Sequence, residues 1–261
     1  GFTVGTAGSS NGNGDSFVSW NWKTSGSQGS SNTDGSINTT YTSVNTTAGF
    51  SISKYVGTGS AATVGHGLSA VPKFLMIKDL SASTDWTVYH EKIGNAKRLV
   101  LNTNNGEEDD ASFFNDTSPT SSVFSIGSSS AVNLSGRNYI CYAFTDIIGY
   151  SKFNSYKGNE NDNGTFVYTG FAPKLIIIKR NGTDNFNMND SARSSNPNNN
   201  TLRANTSDVP YTGSAYGIDL LSNGFKIRND DGNYNNNGVQ YVYMCWGQSI
   251  VGSNNVACTA R

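Results

Sequence analysis

The sequence predicts an all-β protein, a tandem of antiparallel β-sandwich repeats of about 100 residues each. Three observations carry the prediction. The chain repeats itself: Tyr55-Val56-Gly57 matches Tyr156-Lys157-Gly158, and Val71-Pro72-Lys73 matches Ala172-Pro173-Lys174, each pair 101 residues apart. Val123-Phe124-Ser125-Ile126 answers Gly224-Phe225-Lys226-Ile227 at the same offset, and Asn138–Phe144 answers Gln240–Trp246 at an offset of 102. Short runs of β-branched and aromatic residues alternate with turn clusters such as Asn104-Asn105-Gly106 and Asn181-Gly182. No long stretch holds an amphipathic 3.6-residue period; Glu91 to Leu101 comes nearest, and Gly94 interrupts it.

Taken in order, residues 1–26 read as the closing part of a truncated upstream repeat. Gly1-Phe2-Thr3-Val4 and the run ending in Trp20-Asn21-Trp22 align with Val123 through Phe144 at an offset of 122. That register puts Trp20 and Trp22 on a closing strand and so in a core. The chain therefore reads as beginning inside a repeat, as a piece of a longer polypeptide. Residues 27–49 form a Ser/Thr/Gly/Asn-rich connector, with β-formers for a peripheral strand at Ser36–Tyr41. The first full repeat spans 50–150. Its wholly apolar segment between Lys73 and Lys78 follows Pro72, a residue suited to a strand start. Trp86-Thr87-Val88-Tyr89 is β in composition, as is Phe166-Val167-Tyr168 in the second repeat, 151–251. The closing strands Tyr139–Phe144 and Tyr241–Trp246 are apolar on both parities, as strands buried on both faces are. Residues 252–261 are a tail.

Composition narrows the function. Lys+Arg number 18 and Asp+Glu 19, so there is no basic excess with which to displace counterions from nucleic acid. The longest aliphatic run, Leu175–Ile178, is far too short to span a bilayer, so no membrane partner is expected. Aromatic content, with 13 Tyr, 13 Phe and 4 Trp, marks a folding chain despite its Gly, Asn and Ser. Three cysteines make no disulfide framework; Cys141 and Cys245 sit in apolar runs as buried thiols, and Cys258 lies in the tail.

No residues are assigned to catalysis, to a cofactor or to a metal. His66 and His90 lack the spacing of zinc ligands and read as structural or surface residues. The acidic loops Glu107–Asp110 and Asp230-Asp231 offer hard oxygens suited to Ca²⁺, but without EF-hand spacing; solvated loops are the plainer reading. Nothing singles out a carboxylate pair for glycoside hydrolysis. Candidate surface-binding aromatics are Trp86, Tyr89 and Tyr211, large rings of the kind that stack on sugars or anchor interfaces.

Several segments form a familiar set: His66-Gly67-Leu68, Val71-Pro72-Lys73-Phe74, Trp86–His90, Ser151-Lys152-Phe153, Phe166–Phe171, Asp190–Arg193 and Leu221–Lys226. Together they resemble a repeat family of tailed-phage virion proteins, the tail-fibre-like or head-appendage proteins of marine phages and cyanophages. The likeness covers almost the whole chain. It implies a non-enzymatic virion structural protein, extracellular on the particle. Its partners would be other virion subunits and a host-surface glycan or protein; by fibre analogy it would form a homo-oligomer, a trimer being favoured. The alternative is a microbial surface protein: a secreted adhesin, a carbohydrate-binding module or a filament subunit completed by a neighbour's strand. The resemblance carries no catalytic residues. The second repeat has Phe186 or a neighbour where the first has Trp86, so a ligand site at that ring need not recur.

Overall fold

The computed structural model describes residues 2–248, and Cys258 lies outside them. The fold is mostly β, with antiparallel sheets in two halves and a few one-turn helices. The first half comprises β1 (Tyr41–Asn45), β2 (Phe50–Val56), β3 (Ala62–Gly65), β4 (Phe74–Asp79), β5 (Thr87–His90), β6 (Lys97–Val100), β7 (Glu108–Asp109), β8 (Val123–Ile126) and β9 (Asn138–Phe144). Seven of these form one sheet in the order β1-β2-β9-β4-β5-β6-β7, while β3 and β8 pair separately. The second half comprises β10 (Ser151–Lys157), β11 (Phe166–Tyr168), β12 (Ala172–Arg180), β13 (Phe186–Asp190), β14 (Asn200–Arg203), β15 (Tyr211–Thr212), β16 (Ile218–Leu221), β17 (Gly224–Ile227) and β18 (Gln240–Gln248). Its main sheet runs β10-β18-β12-β13-β14-β15, and β11-β17-β16 forms the smaller one.

The halves repeat at the level of single bonds. Tyr55 faces Tyr139 across β2 and β9, as Tyr156 faces Tyr241 across β10 and β18. The rings stack at 5.3 Å and 5.1 Å. Tyr55 Oη donates to the Val132 carbonyl at 2.7 Å, and Tyr156 Oη to that of Tyr234 at 2.8 Å. Two buried asparagines tie the same loops together. Asn133 Nδ2 donates to the Ser60 and Gly127 carbonyls while its Oδ1 accepts from Thr58 N. Asn235 does the same with Asn161, Asn229 and Asn159 N. A Cβ on Gly57 would come within 2.4 Å of the Leu134 carbonyl, and one on Gly158 within 2.3 Å of the Asn236 carbonyl. Glycine is therefore required at both positions to let the backbones approach.

Side-chain alternation along the central strands sorts residues into three cores. In β9, Tyr139, Cys141 and Ala143 enter a core with β3 and β8, whereas Tyr142 and Phe144 point the other way. In β18, Tyr241, Tyr243 and Cys245 pack under the small sheet of the second half, whereas Val242, Met244 and Trp246 face away. These outward sets meet. Phe50, Phe74, Val88 and Phe144 of the first half share one cluster with Phe153, Leu175, Phe186 and Trp246 of the second. The two main sheets thus lie face to face, each covered on its far side by its own small sheet. The closing strands are apolar on both parities because one face belongs to the half and the other to its neighbour.

The structure departs from the sequence expectation at the N-terminus. Residues 2–29 contain no strand, only one helical turn at Gly8–Asn11. A closing strand is central in its sheet, flanked on both sides in each half, and no described residue supplies such neighbours for a third copy. The segment instead lies against the chain's own body: Ser43 Oγ donates to Thr24 Oγ1, and Asn45 Nδ2 donates to the Lys23 carbonyl. Trp20 and Trp22 still reach a core, the one between the main sheets. The peripheral strand is also displaced. It starts at Tyr41, while Ile37 makes a single parallel bridge to Val64. The β1–β2 hairpin closes at Gly49, whose φ of +62° suits a residue without a Cβ.

Candidate functional site

Between the two main sheets lies a cavity of about 480 Å³ that receives all four tryptophans of the chain: Trp20, Trp22, Trp86 and Trp246. They arrive from separate places. Trp246 stands on β18 with its side chain toward the shared core, and Trp86 immediately precedes β5, its backbone N–H donating to Asn102 Oδ1 at 2.9 Å. Trp20 and Trp22 come from the strandless N-terminal segment. The inner end is a packed ring cluster: Trp246 meets Phe144 at 5.3 Å and Phe153 at 5.4 Å, both edge-on, and Trp22 meets Trp246 at 5.1 Å. Met76, Met188, Ile52 and Ile177 continue the walls, and Trp86 leans on Tyr142 at 6.1 Å. No lining residue carries a charge.

The three rings singled out from sequence do not come together. Trp86 is half-buried and lines this cavity. Tyr89 is not a surface ring: it is 3% exposed and packs edge-on against Phe114 at 5.5 Å in the core of the first half. Its β5 position faces inward because β5 is covered on both sides, all four of its residues being buried. Tyr211 sits half-buried on the edge strand β15, with the Arg203 guanidinium 3.8 Å over its ring and its hydroxyl donating to Asp208 at 2.8 Å. That hydrogen bond to a carboxylate raises the phenol's pKa. Sequence reasoning missed Trp246, Met76 and Met188 as site residues. For Met76 and Trp246 the signal was the second apolar parity of β4 and β18, which has a use only if something outside the half covers it; Met188 gave no such signal, because the other parity of β13 is Asn187 and Asn189.

The ionisable groups are engaged in holding shape. His66 and His90 are both fully buried, and in each the Nδ1 accepts a backbone N–H two residues on, from Leu68 and Lys92. With Nδ1 accepting, Nε2 carries the proton and donates to the Thr120 carbonyl in His66 and to the Tyr243 carbonyl in His90, each at 3.2 Å. The second of these bonds crosses between the halves. Burial lowers both pKa values, that of His90 to about 4. The acidic loop is likewise occupied. Glu107 pairs with Lys97 at 3.5 Å and accepts from Gly182 N, Glu108 pairs with Arg98 at 2.7 Å, and Asp110 caps the turn at Ser112. Asp231 accepts from Asn233 N at 2.8 Å. Among the described residues, no group of three or more His, Cys, Asp or Glu is placed to hold a metal ion. Lys179 is buried with its Nζ donating to the Gly182 and Asp184 carbonyls, and burial lowers its pKa to about 8. Cys141 and Cys245 are buried free thiols whose pKa values burial raises. No described helix is long and apolar enough to cross a membrane.

One family model, described as a domain of unknown function (DUF7483), matches residues 1–249. The chain belongs to this family. The match runs through both halves and the N-terminal segment. No curated protein and no solved structure matches the chain.

Proposed function

We propose that this protein is a non-enzymatic structural component of a virion, a tail-fibre or capsid-appendage module of two β-sandwich repeats that contacts the host surface. The observation that carries the reading is the use of its buried polar chemistry. The histidines, Lys179 and the paired asparagines are each bound to backbone groups that hold loops in place, at matching positions in both halves for the asparagines. Such an arrangement spends its polar groups on rigidity rather than on a reacting centre. Each half is a two-layer sandwich in this reading, and the shared core joins the two into one stiff body. Ser-, Thr- and Asn-rich loops outside the cores are suited to hydrogen bonding with hydroxyl-rich glycans, and copies of the chain in a homo-oligomer, a trimer by fibre analogy, would add avidity. The N-terminal segment bears on the filament alternative. It lies on its own chain, with Trp20 and Trp22 half-buried against the shared core, and so calls for no neighbour's strand to complete it.

The test is location and contact. Antibody raised against the recombinant protein should decorate purified particles in immuno-electron microscopy, and the soluble protein should reduce particle adsorption to host cells. Recovery of the protein only from the cell surface or secretions of an uninfected microbe would overturn the virion reading in favour of an adhesin.

A further inference from the structure

We propose that the cavity between the main sheets is a binding site for a small, neutral, largely apolar molecule carrying one hydrogen-bond acceptor, received by the indole N–H of Trp246. This does not depend on the virion reading. The volume, about 480 Å³, falls in the range of small-molecule sites. The lining holds no charged side chain, so an ionised ligand would lose its hydration with nothing to replace it. Met76 and Met188 give the walls adaptable thioethers, which fit apolar bodies of more than one shape.

The acceptor follows from Trp246. Its ring lines the cavity and is only 5% exposed, and Nε1, itself closed off from solvent, has no hydrogen-bond partner among the described residues; an acceptor reaches it once the rings packed edge-on around it, Trp22 among them, shift aside. A buried donor left unpaired is costly and uncommon in native proteins. The repeat shows that the fold does not need it there. Ser151 pairs with Trp246 as Phe50 pairs with Phe144, so the matching position in the first half is a phenylalanine with no N–H. Access follows from the cover: Trp20 and Trp22 belong to no sheet and sit at the cavity on a segment without strand pairing. A ligand can enter by moving that segment without breaking a ladder.

The experiment uses the whole chain and 6-propionyl-2-dimethylaminonaphthalene, a neutral bicyclic dye with one ketone whose emission shifts blue in apolar surroundings. Saturable one-to-one binding is expected. Ala204→Trp places a large ring at the exposed end of the lining and should abolish the shift with circular dichroism unchanged. Trp246→Phe keeps the ring body and removes the donor, weakening binding about five-fold. In the unaltered protein, the Trp246 indole ¹H–¹⁵N resonance, assigned through the nuclear Overhauser contacts of its ring with Phe144 and Phe153, should move downfield as dye is added, a readout that does not require the variant to fold well. Absence of saturable binding, or a shift that survives Ala204→Trp, overturns the site. An unmoved Trp246 indole resonance on saturation overturns the acceptor. Tighter binding of the anionic 8-anilinonaphthalene-1-sulfonate than of the neutral dye overturns the ligand class. Loss of binding only in the presence of an apolar peptide would assign the cavity to a protein side chain instead.

Discussion

Acid should weaken this fold through His90. In the folded state the imidazole is buried and neutral, with Nδ1 accepting from Lys92 N and Nε2 donating to the Tyr243 carbonyl. Protonation would put a second proton on Nδ1, opposite a backbone N–H, and burial holds the pKa at about 4 against an ordinary 6.5 although the bond to the Tyr243 carbonyl works the other way. The unfolded chain takes up the proton near pH 6.5. Between those values the unfolded state binds more protons than the folded one, so stability is full above about pH 6.5 and is lost as pH falls toward 4. One pH unit inside that window is worth about 1.4 kcal/mol, and the fall from pH 7 to 4.5 amounts to about 2.5 kcal/mol for this residue alone. His66, also lowered, acts with the same sign, whereas Asp146 and Asp184, raised by burial, act against it. Comparison with His90→Gln cancels those contributions. Urea unfolding at steps from pH 7.5 to 4.5 should show the variant less stable at neutral pH, with the gap closing by about 2.5 kcal/mol at the acid end. Parallel curves for the two proteins would refute the reasoning. Because the Tyr243 carbonyl belongs to the other half, the loss falls on the join between them.

Two further outcomes follow from the repeat and the shared core. Asn133→Ala and Asn235→Ala each remove three hydrogen bonds to loop backbone and should cost about 2–4 kcal/mol apiece by chemical denaturation; a cost under about 1 kcal/mol for either would show that its loops hold without it. Residues 150–248 expressed alone would expose the face carrying Phe153, Leu175, Val242, Met244 and Trp246, and should self-associate or give poorly dispersed amide spectra. A monomeric, well-dispersed fragment would show that the common core is dispensable.

Much of the architecture was legible in the residues. The 101- and 102-residue offsets located equivalent strands, and the pairing of Tyr55 with Tyr139 and Tyr156 with Tyr241 agrees with them. Turn clusters and β-branched runs marked most strand positions because those preferences act locally, within a few residues. The N-terminal match misled for the same reason: Trp20-Asn21-Trp22 has the composition of a closing strand, but a strand needs partners on its flanks. Tyr89 misled in another way, since a large ring reads alike whether it faces solvent or a second layer.

What the amino-acid order determined by itself was the β class, the duplication and the presence of strands apolar on both faces. The tertiary structure decided what covers those faces, bringing Trp20, Trp22, Trp86 and Trp246 to one cavity across more than two hundred residues of chain. Hydrophobic burial is non-directional: it demands that an apolar face be covered and does not specify by which partner. That choice rests on the shape of two finished sheets, which no local run of residues encodes.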